Sequence, residues 1–230
     1  MKSLAQIAHE RLYPSLCDPN YLVLRARRLI FTKWIHDLNG NDLKILDVGG
    51  RYQPYRPLFD RRVGQYVAVD LVRTEMVSVV ANGENLPFAP ESFDVVITTQ
   101  VMEYLSDPGL AVRRLHGLLK PRGIMLASVA AFAPTFDEPE KWRFTRSGVR
   151  SLFSPFSQVE IVPEVYSAGG LLRTLNLALN RFAHFEILRS IHKRITCPLI
   201  NVAGIALEKI SLTRNEQFTA NYSVRAFKSN

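Results

Sequence analysis

The sequence predicts an α/β fold built on a parallel sheet, and three stretches carry that reading. The first is KILDVGGRYQPYRPLFDRRVGQYVAVD, from Lys44 to Asp70. An apolar run closes on an acid and a glycine, a turn of Gly49, Gly50 and Arg51 follows, and a second apolar run ends on Asp70. That order is strand, turn, helix, strand. The second stretch is FDVVITT, residues 93–99, whose nearly continuous apolar character suits a strand covered on both faces. The third is an amphipathic helix pattern from Leu110 to Leu119, then Lys120-Pro121-Arg122-Gly123, then the apolar run Ile124 to Val129. This turn forms provided Arg122 keeps a negative φ.

In such a sheet, ligands sit outside the carboxyl ends of the strands, where a glycine lets the backbone approach and a strand-end acid accepts from a ribose. Asp70 stands about twenty residues beyond the turn, the spacing that role requires. The fingerprint G-x-G-x-x-G is incomplete, because Arg51 and Gln53 occupy glycine positions. A dinucleotide diphosphate is therefore not expected.

DVGGRYQPYRPLF resembles the first motif of class I S-adenosylmethionine-dependent methyltransferases, in the branch whose turn runs into Pro54, Tyr55 and Arg56. Further matches follow in the family's order at Ala81 to Pro108, Leu115 to Ser128 and Lys141 to Phe153. An ordered set across residues 44–165 is far more specific than any single motif. The resemblance implies a Rossmann-like, seven-stranded, mostly parallel sheet flanked by helices, its last strand antiparallel. It implies S-adenosyl-L-methionine as cofactor and S-adenosyl-L-homocysteine as product. It also implies a cofactor seat made of Asp47, Gly49, Gly50 and Arg51 at the turn, Asp70 with Leu71 at the second strand end, Asn82 with Gly83 beside the adenine, and Thr99 with Gln100 facing the sulfonium. Where the family carries an acid, Asn82 stands here, and an amide oxygen still accepts a hydrogen bond.

Methyl transfer from a sulfonium is an in-line displacement, so the protein must align the reactants and exclude water. A base is needed only for a poor nucleophile such as a sugar hydroxyl. The histidine that commonly follows the glutamate in this family is Tyr104 here, which leaves Glu103 and Asp137 as candidate bases. Tyr104, Trp142 and Arg143 are candidate substrate contacts. The resemblance points to a small-molecule, sugar or lipid-linked acceptor over nucleic acid. An RNA methyltransferase remains the alternative, as does a degenerate fold kept for protein interaction, given Arg51, Gln53, Asn82, Tyr104 and Arg122 at family positions.

Composition bounds the rest. A chain of 230 residues, 47% hydrophobic and 22% charged, has material for a sizeable core and is not a disordered sequence. The net charge of +8 invites an anionic partner, yet the basic residues are scattered, with no recognised RNA-binding module. Cys17 and Cys197 lie far apart in sequence without metal-ligand spacing, so neither a disulfide framework nor a metal site is expected. His9, Glu10 and Arg11 interrupt any signal-peptide core, and no stretch reaches the ~20 apolar residues of a spanning helix. A cytoplasmic protein, peripheral to a membrane at most, is the expectation.

Ahead of the first strand, residues 3–17 and 20–38 read as helices, closed by Asn39-Gly40-Asn41-Asp42. Thr145 is placed to cap a helix reaching about Phe153. Gln158 to Glu164 reads as the sixth strand and Tyr222 to Lys228 as the seventh. The chain thus divides into leading helices (1–42), the core (43–165), a helical insertion (166–215) and a final strand with tail (216–230). In the insertion Leu171, Leu175, Ala178, Phe182 and Phe185 approximate one apolar stripe among arginines and lysines. Packing into the core would cover it, as would a role as a lid, a homodimer face or a peripheral membrane contact through 166–212.

Overall fold

The computed structural model describes residues 2–135, 140–183, 185–210 and 214–230. Its strands are β1 (Leu43–Val48), β2 (Val63–Asp70), β3 (Val79–Val80), β4 (Phe93–Thr99), β5 (Leu119–Ala130), β6 (Gln158–Pro163) and β7 (Asn221–Phe227). They form one 7-stranded sheet in the order β3-β2-β1-β4-β5-β7-β6. The first five pair in parallel, and β7 slots between β5 and β6 antiparallel to both. The mostly parallel sheet with an antiparallel last strand is as the sequence implies.

The centre of the sheet is covered on both faces, which explains its unbroken apolar runs. Alternate residues point to opposite sides. Leu46, Val96, Met125 and Ala127 meet α3 (Pro108–Leu118) and α4 (Arg146–Leu152) on one side. Ile45, Val95, Ile97 and Leu126 meet Phe31, Trp34 and Ile35 of α2 (Tyr21–His36) on the other.

Several elements differ from expectation for local reasons. The first helix, α1 (Leu4–Leu12), stops well short of residue 17. Pro14 disfavours helical backbone at Tyr13, which sits at φ −120 and ψ 71. In place of a full helix between β1 and β2 there is only a 3-10 turn, Arg56–Arg62, broken at Asp60 (φ 48). Pro54 and Pro57 remove two amide donors from a segment too short to nucleate an α-helix. Helix α3 starts before Leu110, because Asp107 Oδ1 accepts from the Leu110 amide at 2.8 Å and caps it. The turn at Lys120–Gly123 is a bulge within β5, and Arg122 adopts φ +64 rather than the negative value expected. Its amide donates to the Ser229 carbonyl at 3.2 Å. That anchor offsets a left-handed backbone costing about 1–2 kcal/mol. Thr145 caps α4 as expected, its Oγ1 accepting from Gly148 at 3.1 Å.

The insertion after β6 comprises α5 (Ser167–Phe182), α6 (Glu186–Ile191), a π-helical turn at His192–Thr196 and α7 (Cys197–Glu208). Helix α5 presses so closely on the loop leading into β7 that a Cβ on Gly170 would stand 1.8 Å from the Phe218 carbonyl. Leu172 and Ile205 of the insertion pack against Leu22 and Val23 of α2. The apolar stripe, however, does not face inward: Leu171, Leu175, Phe182 and Phe185 are exposed.

Candidate active site

A cavity of about 980 Å³ opens at the carboxyl ends of β1, β2 and β4, beneath α2 and α5. Its first wall is the turn after β1. Gly49 has φ +79, and a Cβ there would lie 2.4 Å from Val101 Cγ2, so no other residue fits without strain. The Gly49 and Gly50 amides donate to the Val69 carbonyl at 2.8 and 3.1 Å, which ties the turn to the end of β2 and fixes Asp70 beside it. Asp70 lines the cavity while its Oδ1 accepts from Val72 at 2.9 Å. A carboxylate has lone pairs enough to hold a ligand diol as well. Leu71, 70% exposed, offers an apolar wall next to it, and Asn82 and Gly83 face it from the β3 side. Asn82 Oδ1 already accepts from the Glu84 amide at 3.0 Å, so one lone pair remains for a ligand. Arg51 also lines the cavity, stacked over Tyr52 at 5.4 Å, with Arg11 of α1 over the same ring at 4.7 Å.

Asp47 and Gly50 lie behind this wall. The Asp47 carboxyl is buried, accepts from Tyr66 Oη at 2.7 Å and occupies the space where a Cβ on Gly50 would fall. Burial pushes its pKa up to about 6, with the Tyr66 hydroxyl opposing and Asp70 adding to the rise. Asp47 supports the turn from within.

The second wall is the end of β4. Thr99, Gln100, Glu103 and Tyr104 all reach the cavity. Gln100 turns the chain at φ +56 and is held by Ser128, to whose carbonyl its amide donates at 2.8 Å and to whose hydroxyl Nε2 donates at 3.1 Å. The Glu103 side chain is buried; Oε1 accepts from the Ala130 amide and Oε2 has no hydrogen-bond partner. Burial pushes its pKa up to about 7, against the opposing pull of backbone hydrogen bonds and of Arg27 and Arg143.

The inner end of the cavity comes from residues the motifs do not reveal. Arg27 of α2 forms a buried bidentate pair with Glu164, at 2.7 and 3.0 Å. Glu164 also accepts from Ser128, Asn221 and Ser223, at 2.6, 2.9 and 3.0 Å. Burial alone would raise the Glu164 pKa, but the Arg27 guanidinium and these donors hold it below the usual carboxylate range. Arg27, Asn20, Arg173 and Asn221 line this end, and Arg173 Nε donates to Asn20 Oδ1 at 3.0 Å. A signal for Arg27 was present: it falls on the buried stripe of α2 with Val23, Phe31 and Trp34, and an arginine in such a place needs a buried acid.

Of the proposed substrate contacts, Tyr104 is at the cavity, whereas Trp142 and Arg143 are not among its walls. Trp142 Nε1 donates to the Leu105 carbonyl at 2.8 Å, and Arg143 pairs with Glu140 at 2.7 Å. They brace a segment whose Glu140 and Lys141 do face the cavity. Asp137 lies outside the described residues. His116 stacks edge-on against Phe156 at 4.9 Å, on α3 and away from the cavity. Among the described residues, no group of His, Cys, Asp or Glu is arranged to hold a metal ion.

A family model described as a methyltransferase domain matches residues 46–127, which hold the glycine turn, Asp70, Asn82 and the β4 end. The chain has a methyltransferase-like fold around this matched segment. The human mitochondrial arginine-hydroxylase NDUFAF5 is 26% identical over 106 residues, 41% of this chain and 31% of that protein. An uncharacterized methyltransferase of Mycobacterium sp. (strain KMS) is 30% identical over 102 residues, 40% of each chain. The chain thus spans well under half the length of these curated relatives. Among solved structures, Haemonchus contortus phosphoethanolamine N-methyltransferase 2, in complex with phosphomonomethylethanolamine and S-adenosylhomocysteine, superposes with a TM-score of 0.51 at 14% identity. The match covers 100% of this chain and 61% of that one. That likeness is one of fold.

Proposed function

We propose that this domain binds S-adenosylmethionine and methylates a hydroxyl or amine of a small-molecule acceptor, sugar and lipid-linked compounds included, with Glu103 as general base. The observation that carries the reading is the position of Glu103. It is a buried carboxyl with one oxygen unengaged, set in the cavity wall between the glycine turn with Asp70 and the polar inner end. Its pKa of about 7 lets it accept a proton near neutrality. The cradle suits the cofactor: Asp70 for a diol, Leu71 and Gly83 for a flat ring, Gly49 for close approach at the turn. When bound, the cofactor supplies a sulfonium methyl group to the attacking acceptor atom and departs as S-adenosylhomocysteine. Glu103 holds the proton the acceptor gives up. Arg27, Asn20, Arg173 and Asn221 orient the acceptor, and α2 and α5 keep water from the reacting end. That roofed chamber supports a small acceptor over RNA, and the Haemonchus contortus neighbour is in complex with a small molecule, phosphomonomethylethanolamine.

The arginine-hydroxylase name of the human relative favours a second reading, in which the domain is kept for other chemistry. Release of S-adenosylhomocysteine, followed across sugar, amine, lipid-linked and RNA acceptors, separates the two. The expected outcome is turnover on a small acceptor that rises about tenfold per pH unit below pH 7 and then levels, with Glu103→Gln slower by about 10²–10⁴. Turnover on RNA alone, or none on any acceptor by a protein that binds S-adenosylhomocysteine, would overturn the first reading.

A further inference from the structure

We propose that the outer face of α5, α6 and α7 docks on an anionic lipid surface. The insertion is amphipathic in the opposite sense to the core. Its inner side buries Arg173, Asn176, His192 and Asn201, while Phe182, Phe185 and Ile187 are each more than 70% exposed. No residue of α6 is buried, although it carries Ile187, Leu188 and Ile191. More than half of the exposed large apolar side chains among the described residues fall between Leu171 and Ile210. Such a concentration marks an interaction surface.

The orientation is fixed from within. Asn176 Nδ2 donates to Asn201 Oδ1 at 3.1 Å, and Asn201 Nδ2 donates to the Leu16 and Asp18 carbonyls at 2.8 and 3.0 Å. Arg173 holds Asn20 in the same loop. Rolling the helices over to bury the apolar stripe would break these bonds and leave the loop between α1 and α2 unpaired. The apolar face is therefore held outward by the same contacts that roof the cavity.

Charge selects the occupant. Exposed Arg181, Arg189, Lys193 and Arg194 flank the apolar residues, and Glu186 is the one exposed acid among the described residues from 171 to 207. In a two-fold dimer this face would meet its own positive charges. An anionic bilayer meets them with phosphate and carboxylate. The helices are suited to lie in the headgroup layer, since none of the described ones is long and apolar enough to cross a membrane.

Co-sedimentation of the full chain with phosphatidylcholine vesicles, and with vesicles that also contain phosphatidylserine, tests this. The protein is expected to pellet with the anionic vesicles, much less with neutral ones, and to be released by salt. Changing Arg181, Arg189, Lys193 and Arg194 to Glu together should weaken the anionic partition more than about tenfold. Phe182→Ser with Ile187→Ser should weaken it at every salt concentration. Both variants should keep the parent melting temperature and S-adenosylhomocysteine affinity, so failure here is separate from failure of the methyltransferase reading. Absence from both pellets, equal partition to both vesicle types, or a solution dimer that Phe182→Ser with Ile187→Ser dissolves would overturn the proposal.

Discussion

The sheet and the insertion solve opposite problems with the same residue types. In β1, β4 and β5 the leucines, isoleucines and valines are buried and the polar groups gather at the carboxyl ends. In α5 to α7 no leucine or isoleucine is buried and most are exposed, while an arginine, a histidine and two asparagines are inside. Apolar periodicity therefore locates a helix and its stripe but does not say which way the stripe faces. The direction comes from polar partners elsewhere in the chain, here Asn20 and the Leu16 and Asp18 carbonyls.

The contrast can be broken most severely at the buried ion pair beneath both regions. Arg27→Met would leave the buried Glu164 carboxylate without its counter-charge, at a cost of about 3–5 kcal/mol. A fall in Tm of roughly 10 °C should appear in a calorimetric melt. Next comes a matched pair of truncations. Ile97→Ala, in the fully buried centre of β4, should cost about 2–5 kcal/mol in denaturant unfolding. Ile187→Ala, 73% exposed on α6, should stay within about 0.5 kcal/mol. Equal costs would mean that the insertion has a covered core of its own.

At the site, Asp70→Ala should lower S-adenosylhomocysteine affinity at least about tenfold with the fold intact, because hydrogen bonds to charged groups contribute about 1.5–3 kcal/mol. The site also gives stability a pH dependence. Glu103 binds its proton more tightly folded than unfolded, so its contribution is present in acid and declines as pH rises from its usual range through about 7. Between pH 5 and 7, Glu103→Gln should show a flatter stability profile than the parent in urea melts.

These residues also mark how far the sequence could be read. Gly49 and Asp70 could be read from the strand-turn-strand pattern and its spacing, whereas Asn82, Thr99 and Gln100 came from the family resemblance; all five line the cavity. Arg173, Glu164 and Asn221 were not, because they meet only after α2, α5 and β7 have packed; Arg27 left a trace on the buried stripe of α2, but nothing local names its partner. Asp47 was legible as a strand-end acid, but the Tyr66 hydroxyl that turns it inward belongs to the next strand. Gln53, Gln100 and Arg122 hold positive φ without being glycine. Such strain is set by the surrounding contacts and could not be read from composition.

Calorimetric titration of the full chain with S-adenosylhomocysteine tests the central claim most directly. Saturable one-to-one binding, weakened by Asp70→Ala and unaffected by Phe182→Ser, is the predicted result. A folded protein that shows no binding at millimolar ligand would contradict it.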